Sequence, residues 1–341
     1  MQFAIGVDLG GTNLRIAAVS EQGELMEKVT TGTRLVTGRD AVIDEMVAAI
    51  RELSAKFSAS QRLLGVGIGV PGIIDKRTGM LRQSPNLPGW GDYPVRDEIE
   101  RRLGTPVILE NDANSAAMGE AWLGAGREVE HMCMITLGTG VGGGLILNGR
   151  IWQGMTGMAG ELGHINVDPN GHACGCGSHG CIEQFASATA IVRMAREAIA
   201  GGNAPALAQA AKSDAEFSSE TVFDLAMRGD KAAQAVFQKA GTALGILMAD
   251  LVNAFNLYVY VIGGGVSSAW DAFAPAMFEE LRRRSFVYAA TAPDDIWAAV
   301  AEGAAAAVKP LDSGPRTLIT RALLGGDAGL IGAARLPMFQ D

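Results

Sequence analysis

The chain has 341 residues, 48% hydrophobic and 19% charged, with 45 glycines, four cysteines and a net charge of −9; this suffices for about two well-cored domains and excludes a disordered chain. The surplus of 37 acidic residues over 28 Lys and Arg argues against a nucleic-acid footprint, which needs a surplus of Lys and Arg on at least one face, so an anionic ligand is expected to be held locally by backbone amides and a metal ion. No stretch of 18 residues lacks charges and turn formers as a membrane span requires, and the apolar start FAIGVDLGG has no basic segment before it and is broken by Asp8, so a buried strand, a cytoplasmic location and reduced thiols are expected.

FAIGVDLGGTNLRIAAVS (3–20) reads as strand, turn, strand. In the turn, Gly10, Gly11, Thr12 and Asn13 let the main chain pass close to a ligand, and successive N–H groups there form an anion-binding nest. Asp8, on the strand before it, can hold a Mg²⁺ shell; an ordinary hairpin would carry the same residues. RDAVIDEMVAAIRELSAKF (39–57) has helical spacing, and LLGVGIGVPG (63–72) is a buried strand ending in a Pro-Gly turn. PVILENDA (106–113) is a further strand that delivers Glu110, Asn111 and Asp112 to the start of a helix. Asp112 is either the N-cap of that helix or a general base that deprotonates an attacking hydroxyl in phosphoryl transfer, and the segment alone permits both.

HMCMITLGTGVGGGLILNGR (131–150) repeats the opening pattern, with Gly138, Thr139 and Gly140 as a second nest, so the chain reads as a duplicated α/β architecture. SETVFDLAMRGDKAAQAVFQKAGTALGILMADLVNAFN (219–256) reads as two helices, and YVYVIGGGVS (258–267) as a strand entering a third glycine turn with Gly264 and Gly265. Three such loops suit a nucleotide, while the absence of a Walker A lysine motif and of a G-x-G-x-x-G opening a helix disfavours P-loop and Rossmann folds. KPLDSGPRT (309–317) is a loop and GDAGLIGAARL (326–336) a closing helix of small residues.

GHACGCGSHGCIE (171–183) places Cys174, Cys176 and Cys181 at C-x-C-x₄-C spacing, with His164 ten residues before the first of them. Free buried thiols do not crowd into a glycine-rich polar loop, so a structural Cys₃His Zn²⁺ site is expected, with His172 and His179 competing with His164 for the fourth position. Cys133, within a strand, reads as a small core hydrophobe.

Taken together, DLGGT, VPG (70–72), PNLPGW (85–90), ENDANSAA, LGTGVGGG, GELGH, CGCGSHGCIE, GGGV and GDAGLIGAA resemble the ROK family (repressors, open reading frames and kinases). GELGH combined with C-x-C-x₄-C-x-E is the specific element; DLGGT and the GTG turn belong to the wider superfamily. The resemblance implies the duplicated actin-like, ribonuclease H-like ATPase fold. Its two lobes would face a cleft that closes on the sugar: a small α/β lobe, 1–117, to which helix 325–341 returns, and a larger lobe, 118–324, with the zinc loop. It further implies Asp112 as the base, sugar contacts from Asn86, Asn111, Glu161, His164 and Glu183, and zinc ligation by His164, Cys174, Cys176 and Cys181. Zinc would then fix the His164 ring and brace Glu161 and Glu183. The implied activity is an ATP- and Mg²⁺-dependent hexose kinase acting on the 6-hydroxyl of glucose. N-acetylglucosamine, N-acetylmannosamine, mannose or fructose are alternative substrates, and a sugar-sensing regulator without a DNA-binding domain is the alternative of another class. Polyphosphate is an alternative donor, although the GGGV and GDAG turns favour an adenine site. The apolar helices after 219 and the resemblance together suggest a homodimer or larger homo-oligomer.

Overall fold

The structure is a computed structural model that describes residues 2–84, 86–213, 217–297, 300 and 316–339. Its first half runs β1 (Gln2–Leu9), β2 (Asn13–Ser20), β3 (Leu25–Gly32), α1 (Arg39–Ser58), β4 (Arg62–Val70), the short ribbon β5 (Ile73–Asp75) and β6 (Met80–Gln83), α2 (Val95–Leu103), β7 (Val107–Asn111) and α3 (Asp112–Trp122). The second continues with β8 (Met132–Leu137), β9 (Val141–Leu147), β10 (Arg150–Ile151), α4 (Glu183–Ala186), α5 (Ala188–Ala200), α6 (Pro205–Ser213), α7 (Ser219–Met227), α8 (Lys231–Phe255), β11 (Val259–Gly263), α9 (Trp270–Arg284), α10 (Phe286–Thr291), β12 (Leu318–Arg321) and α11 (Ala328–Arg335). Of the loop expected at 309–317, residues 309–315 lie outside the described residues.

The two five-stranded sheets have the orders β3-β2-β1-β4-β7 and β10-β9-β8-β11-β12. Ranked in chain order among its own strands, each sheet runs third, second, first, fourth, fifth, which is the duplication the repeated glycine hairpins predict. In the first sheet β1 pairs antiparallel with β2 and parallel with β4, and β4 pairs parallel with β7. The chain divides into two compact units, one comprising Met1–Met134, Gly144–Gly160 and Ala322–Asp341, the other Ile135–Gly143 and Glu161–Arg321.

Within the first unit, alternation along β1 sorts its side chains by size. Phe3, Ile5, Val7 and Leu9 join the large core with Ile16, Ile43, Met46, Ile50 and Trp90, packing the sheet against α1. Ala4 belongs to a second cluster with Ala17, Val19, Leu330 and Ala334. That second face carries α11 so closely that Gly6 and Gly67 have no room for a Cβ, which would collide with the Leu330 and Ala333 carbonyl oxygens. On its other flank α11 meets α3, where a Cβ on Gly119 or Gly332 would strike the Ala328 or Ser115 carbonyl oxygen. Buried Glu120 fixes this arrangement by accepting N–H bonds from Ala125, Leu323 and Leu324 (2.8, 3.1 and 2.8 Å).

In the second unit α8 is capped by the Asp230 side chain and ends at Asn256 in the left-handed region. Length and composition would let α8 cross a membrane, contrary to the expectation that no segment qualifies, but 67% of its apolar window is buried inside the fold. There Gly241 and Gly245 admit the backbone of α9, at the Phe273 and Met277 carbonyls.

Candidate active site

In the first unit the turn after β1 closes with Gly10 N donating to the Asn13 carbonyl (2.8 Å). A Cβ at Gly11 would stand 2.8 Å from the Asn86 carbonyl oxygen, so the glycine admits the segment that carries Asn86. Asp8, 21% of whose side chain is accessible, faces Arg15 at 3.6 Å. Burial pushes the Asp8 carboxyl up to about 6; Arg15 opposes the rise, and Asp112 and Asp327 add to it by repulsion. Arg15 also donates to the Gly326 carbonyl, and Asp327 is held by Lys28 at 2.8 Å. Asp112 and Asp327 thus repel the Asp8 carboxylate, a repulsion that a bound cation would relieve. The GDAG turn, expected with GGGV at an adenine site, therefore contributes in the first unit beside Asp8, where a Cβ on Gly329 would lie 3.5 Å from the Asp8 carboxyl carbon.

Capping of α3 falls to Asn111, whose side-chain oxygen accepts from Ala113 N and Asn114 N (2.9 and 3.1 Å). Asp112 is the first residue of the helix, with Oδ1 accepting from Ala113 N at 2.9 Å. The Asn111 amide donates to the Gly72 carbonyl (3.2 Å), which ties the Pro-Gly turn after β4 to the catalytic candidate.

In the second unit Gly138 N donates to the Gly140 carbonyl (2.9 Å), and Ala188 N and the Thr189 hydroxyl donate to the Gly138 and Thr139 carbonyls (2.8 and 2.9 Å). The head of α5 is thereby fixed on the glycine turn. Glu183 accepts from Val141 N at 3.1 Å, and its Oε2 would stand 2.5 Å from a Cβ on Gly140, so Thr139 is flanked by glycine where the carboxylate presses in. Gly264 has φ +84° and lies against the Leu137 carbonyl, a conformation and a fit open to glycine. Gly265 follows it on the surface, so the two turns adjoin. Against Thr139 opens a cavity of about 700 Å³ that is also lined by Thr189, Arg193, Arg196, Glu197 and Ser218, among others, within the size range of small-molecule sites. Thr139 apart, these residues do not stand out in the sequence, because charges at helical spacing on α5 look like any solvated helix face.

The thiol loop brings His164, Cys174, Cys176 and Cys181 together, all four ligand atoms lying within 4.8 Å of one another. Neither His172 nor His179 joins this cluster; His172 Nδ1 lies 3.0 Å from the Ala173 carbonyl oxygen. Tetrahedral zinc with ordinary bond lengths sets sulfurs about 3.8 Å apart and sulfur about 3.6 Å from nitrogen. Cys176 and Cys181 sulfurs are 3.6 Å apart, and Cys174 Sγ is 3.6 Å from His164 Nδ1, so the residues fit such an ion. His164 Nε2 lies 3.9 Å from Glu161 Oε2, and Cys174 Sγ 4.0 Å from Glu183 Oε1. Burial holds the Glu161 carboxyl above its ordinary range, with His164 opposing and Glu183 adding to the rise.

The sequence matches the ROK family over residues 4–309. It is 38% identical to the glucokinase of Halalkalibacterium halodurans, over 100% of this chain and 96% of that protein. To the glucokinase of Thermotoga maritima it is 40% identical, over 83% and 87%. The crystal structure of a ROK family glucokinase from Streptomyces griseus in complex with glucose and AMPPNP superposes with a TM-score of 0.74 at 33% identity, covering 98% of each chain. The duplicated sheet order is thus that of the actin-like ATPase fold, and with nine-tenths of its length inside the family match the chain belongs to the ROK family.

Proposed function

We infer that the protein is an ATP-dependent glucokinase, transferring the terminal phosphoryl group of ATP to the 6-hydroxyl of glucose. The position of Asp112 carries this conclusion: it heads α3 with the capping duty taken by Asn111, and it shares its electrostatic surroundings with Asp8. Glucokinase relatives at 38% and 40% identity support the same activity.

Asp112 accepts the proton of the 6-hydroxyl as that oxygen bonds to the γ-phosphorus and the bond to the β-phosphate oxygen breaks, releasing ADP. Asn86, Asn111, Glu161, His164 and Glu183 orient the sugar. The amides of Gly10, Gly11, Thr12 and Asn13 and of Gly138, Thr139 and Gly140 receive the phosphates, and Gly264, Gly265 and the cavity lined by Thr139 receive the nucleoside. Mg²⁺, which Asp8 would hold, supplies charge neutralisation on the phosphates. Zn²⁺, held by His164 Nδ1 and the sulfurs of Cys174, Cys176 and Cys181, would fix the imidazole so that its other nitrogen is presented to a sugar hydroxyl. The working lobes are proposed as 1–117 with the returning 325–341, and 118–324; a cytoplasmic location and a homodimer or larger assembly complete the proposal.

The test is kcat/KM with ATP and Mg²⁺ for glucose, mannose, fructose and the N-acetylhexosamines, with Asp112→Asn as control. Glucose should lead the panel, and the variant should lose about 100- to 10,000-fold in kcat while still binding glucose by calorimetry. Near-normal kcat in the variant, or preference for an N-acetylhexosamine, would overturn the assignment.

A further inference from the structure

Glu110 lies two residues before Asp112, is 1% exposed, and has no place in the chemistry described above. Both carboxylate oxygens are doubly occupied. Oε1 accepts from Asn111 N (2.9 Å) and from the Asn114 amide (3.2 Å). Oε2 accepts from Lys76 Nζ (2.6 Å) and from the Gln153 amide (2.9 Å). Lys76 also donates to the Leu109 carbonyl (2.5 Å), so its ammonium has two acceptors on β7.

These donors come from three separate stretches of chain. Asn111 and Asn114 belong to the turn that presents Asp112. Lys76 follows β5, in the segment leaving the Pro-Gly turn whose Gly72 carbonyl receives the Asn111 side chain. Gln153 opens the segment that runs on to Glu161. That segment folds back on itself through Ala159 N to the Gln153 carbonyl (3.2 Å), and it packs so closely on Lys76 that a Cβ at Gly157 would stand 2.8 Å from Lys76 Cγ. We propose that Glu110, paired with Lys76, is the positioning residue that sets the Asn111–Asp112 turn and the Gln153–Gly160 segment in register for the sugar.

The physical reason is the cost of an unmatched buried charge. Glu110 and Lys76 together are neutral; removal of Lys76 leaves a buried carboxylate with no counterpart, and removal of Glu110 leaves a half-buried ammonium with none. An amide at 110 has one oxygen for four donors and turns an NH₂ group toward two of them. The surroundings can then relax, because Lys76 and Gln153 border a cavity of about 260 Å³ into which they can swing. Movement of Gln153 would release one side-chain tether on its segment, and movement at Oε1 would free the amide of Asn111.

This inference rests on the kinase reading, and the experiment separates the two. Wild type, Glu110→Gln, Lys76→Met, the double variant and Gln153→Leu are assayed with glucose and ATP, each alongside thermal unfolding. Expected for Glu110→Gln are at least a tenfold rise in glucose KM, a fall in kcat, and an ATP KM within twofold of wild type. A loss of folded fraction alone would lower apparent kcat and leave both KM values in place. The double variant, in which no charge is stranded, should recover part of the loss of the worse single variant. Gln153→Leu keeps the ion pair and should raise glucose KM several-fold even if Glu110→Gln does not fold. Glucose KM within twofold of wild type in every folded variant overturns the positioning role. An inactive wild type or a fully active Asp112→Asn overturns the kinase reading instead.

Discussion

Asp8 is placed where ligand-free folding and catalysis conflict, and Asp8→Asn should expose that conflict. Buried beside Asp112 and Asp327, the carboxyl is pushed up to about 6 from an ordinary 3.8. A group with a raised pKa in the fold binds its proton more tightly there than in the unfolded chain. Wild type therefore has the full stabilising share of this group below pH 3.8 and loses it as pH rises through 6. At 1.36 kcal/mol per pH unit the gap amounts to at most roughly 3 kcal/mol, reduced to the extent that water reaches the accessible fifth of the side chain. Asparagine keeps the shape and does not titrate. In Mg²⁺-free buffer the variant should match wild type in urea near pH 4 and exceed it increasingly through pH 6, levelling off by pH 8. Its turnover with MgATP should meanwhile fall by at least about 100-fold, as expected for loss of a carboxylate serving the metal. A stability difference that is constant from pH 4 to 8, or a variant less stable than wild type at pH 8, would refute the electrostatic account.

Gly138→Val should raise the KM for ATP at least tenfold and leave glucose affinity within twofold, because a Cβ there meets nothing within 4 Å among the described residues and so fills ligand space; an unchanged ATP KM in a coupled assay would contradict this. Gly332→Ala should cost about 3 kcal/mol or more in urea unfolding, since the obstacle at Ser115 is backbone; a loss under 1 kcal/mol would mean the helices part easily. Elemental analysis should find about one zinc per chain, reduced together with glucose affinity in Cys176→Ala, whereas a metal-free, fully active enzyme would remove the zinc assignment. Burial pushes the Cys133 thiol up to about 12, so it should stay unreactive at pH 8 in the folded protein and react only in denaturant; labelling of Cys133 in the folded protein would show that β8 is not closed over it.

The elements legible in the sequence were those whose signal is local. The two glycine hairpins, α1, and the α7–α8 pair announce themselves by apolar period and turn residues. The Cys spacing indicated a metal site but could not choose among three histidines, since the choice depends on the chain folding back so that Asn166 pairs with Cys181 and Ala173 with His179. Asn111 and Asp112 are equally good capping residues by type, and only the helix geometry assigns the cap. Lys76 and Gln153 were invisible because their shared partner, Glu110, lies far away along the chain. The glycines of β4 read simply as strand, yet Gly67 is demanded by a helix near the other end of the sequence.

That last contact imposes a timetable on synthesis. Arg15 and Gly326, which touch in the finished fold, are 311 residues apart. As the chain leaves the ribosome, β1, β2 and β4 can pair and cover their large side chains with α1, but the face bearing Ala4, Ala17 and Val19 must wait for Leu330 and Ala334. All of Glu161–Arg321 is made before the partner of that face exists. The nascent first unit therefore remains an unfinished sheet while Glu161–Arg321 is made, with a bare strip of small residues toward water until α11 arrives to cover it.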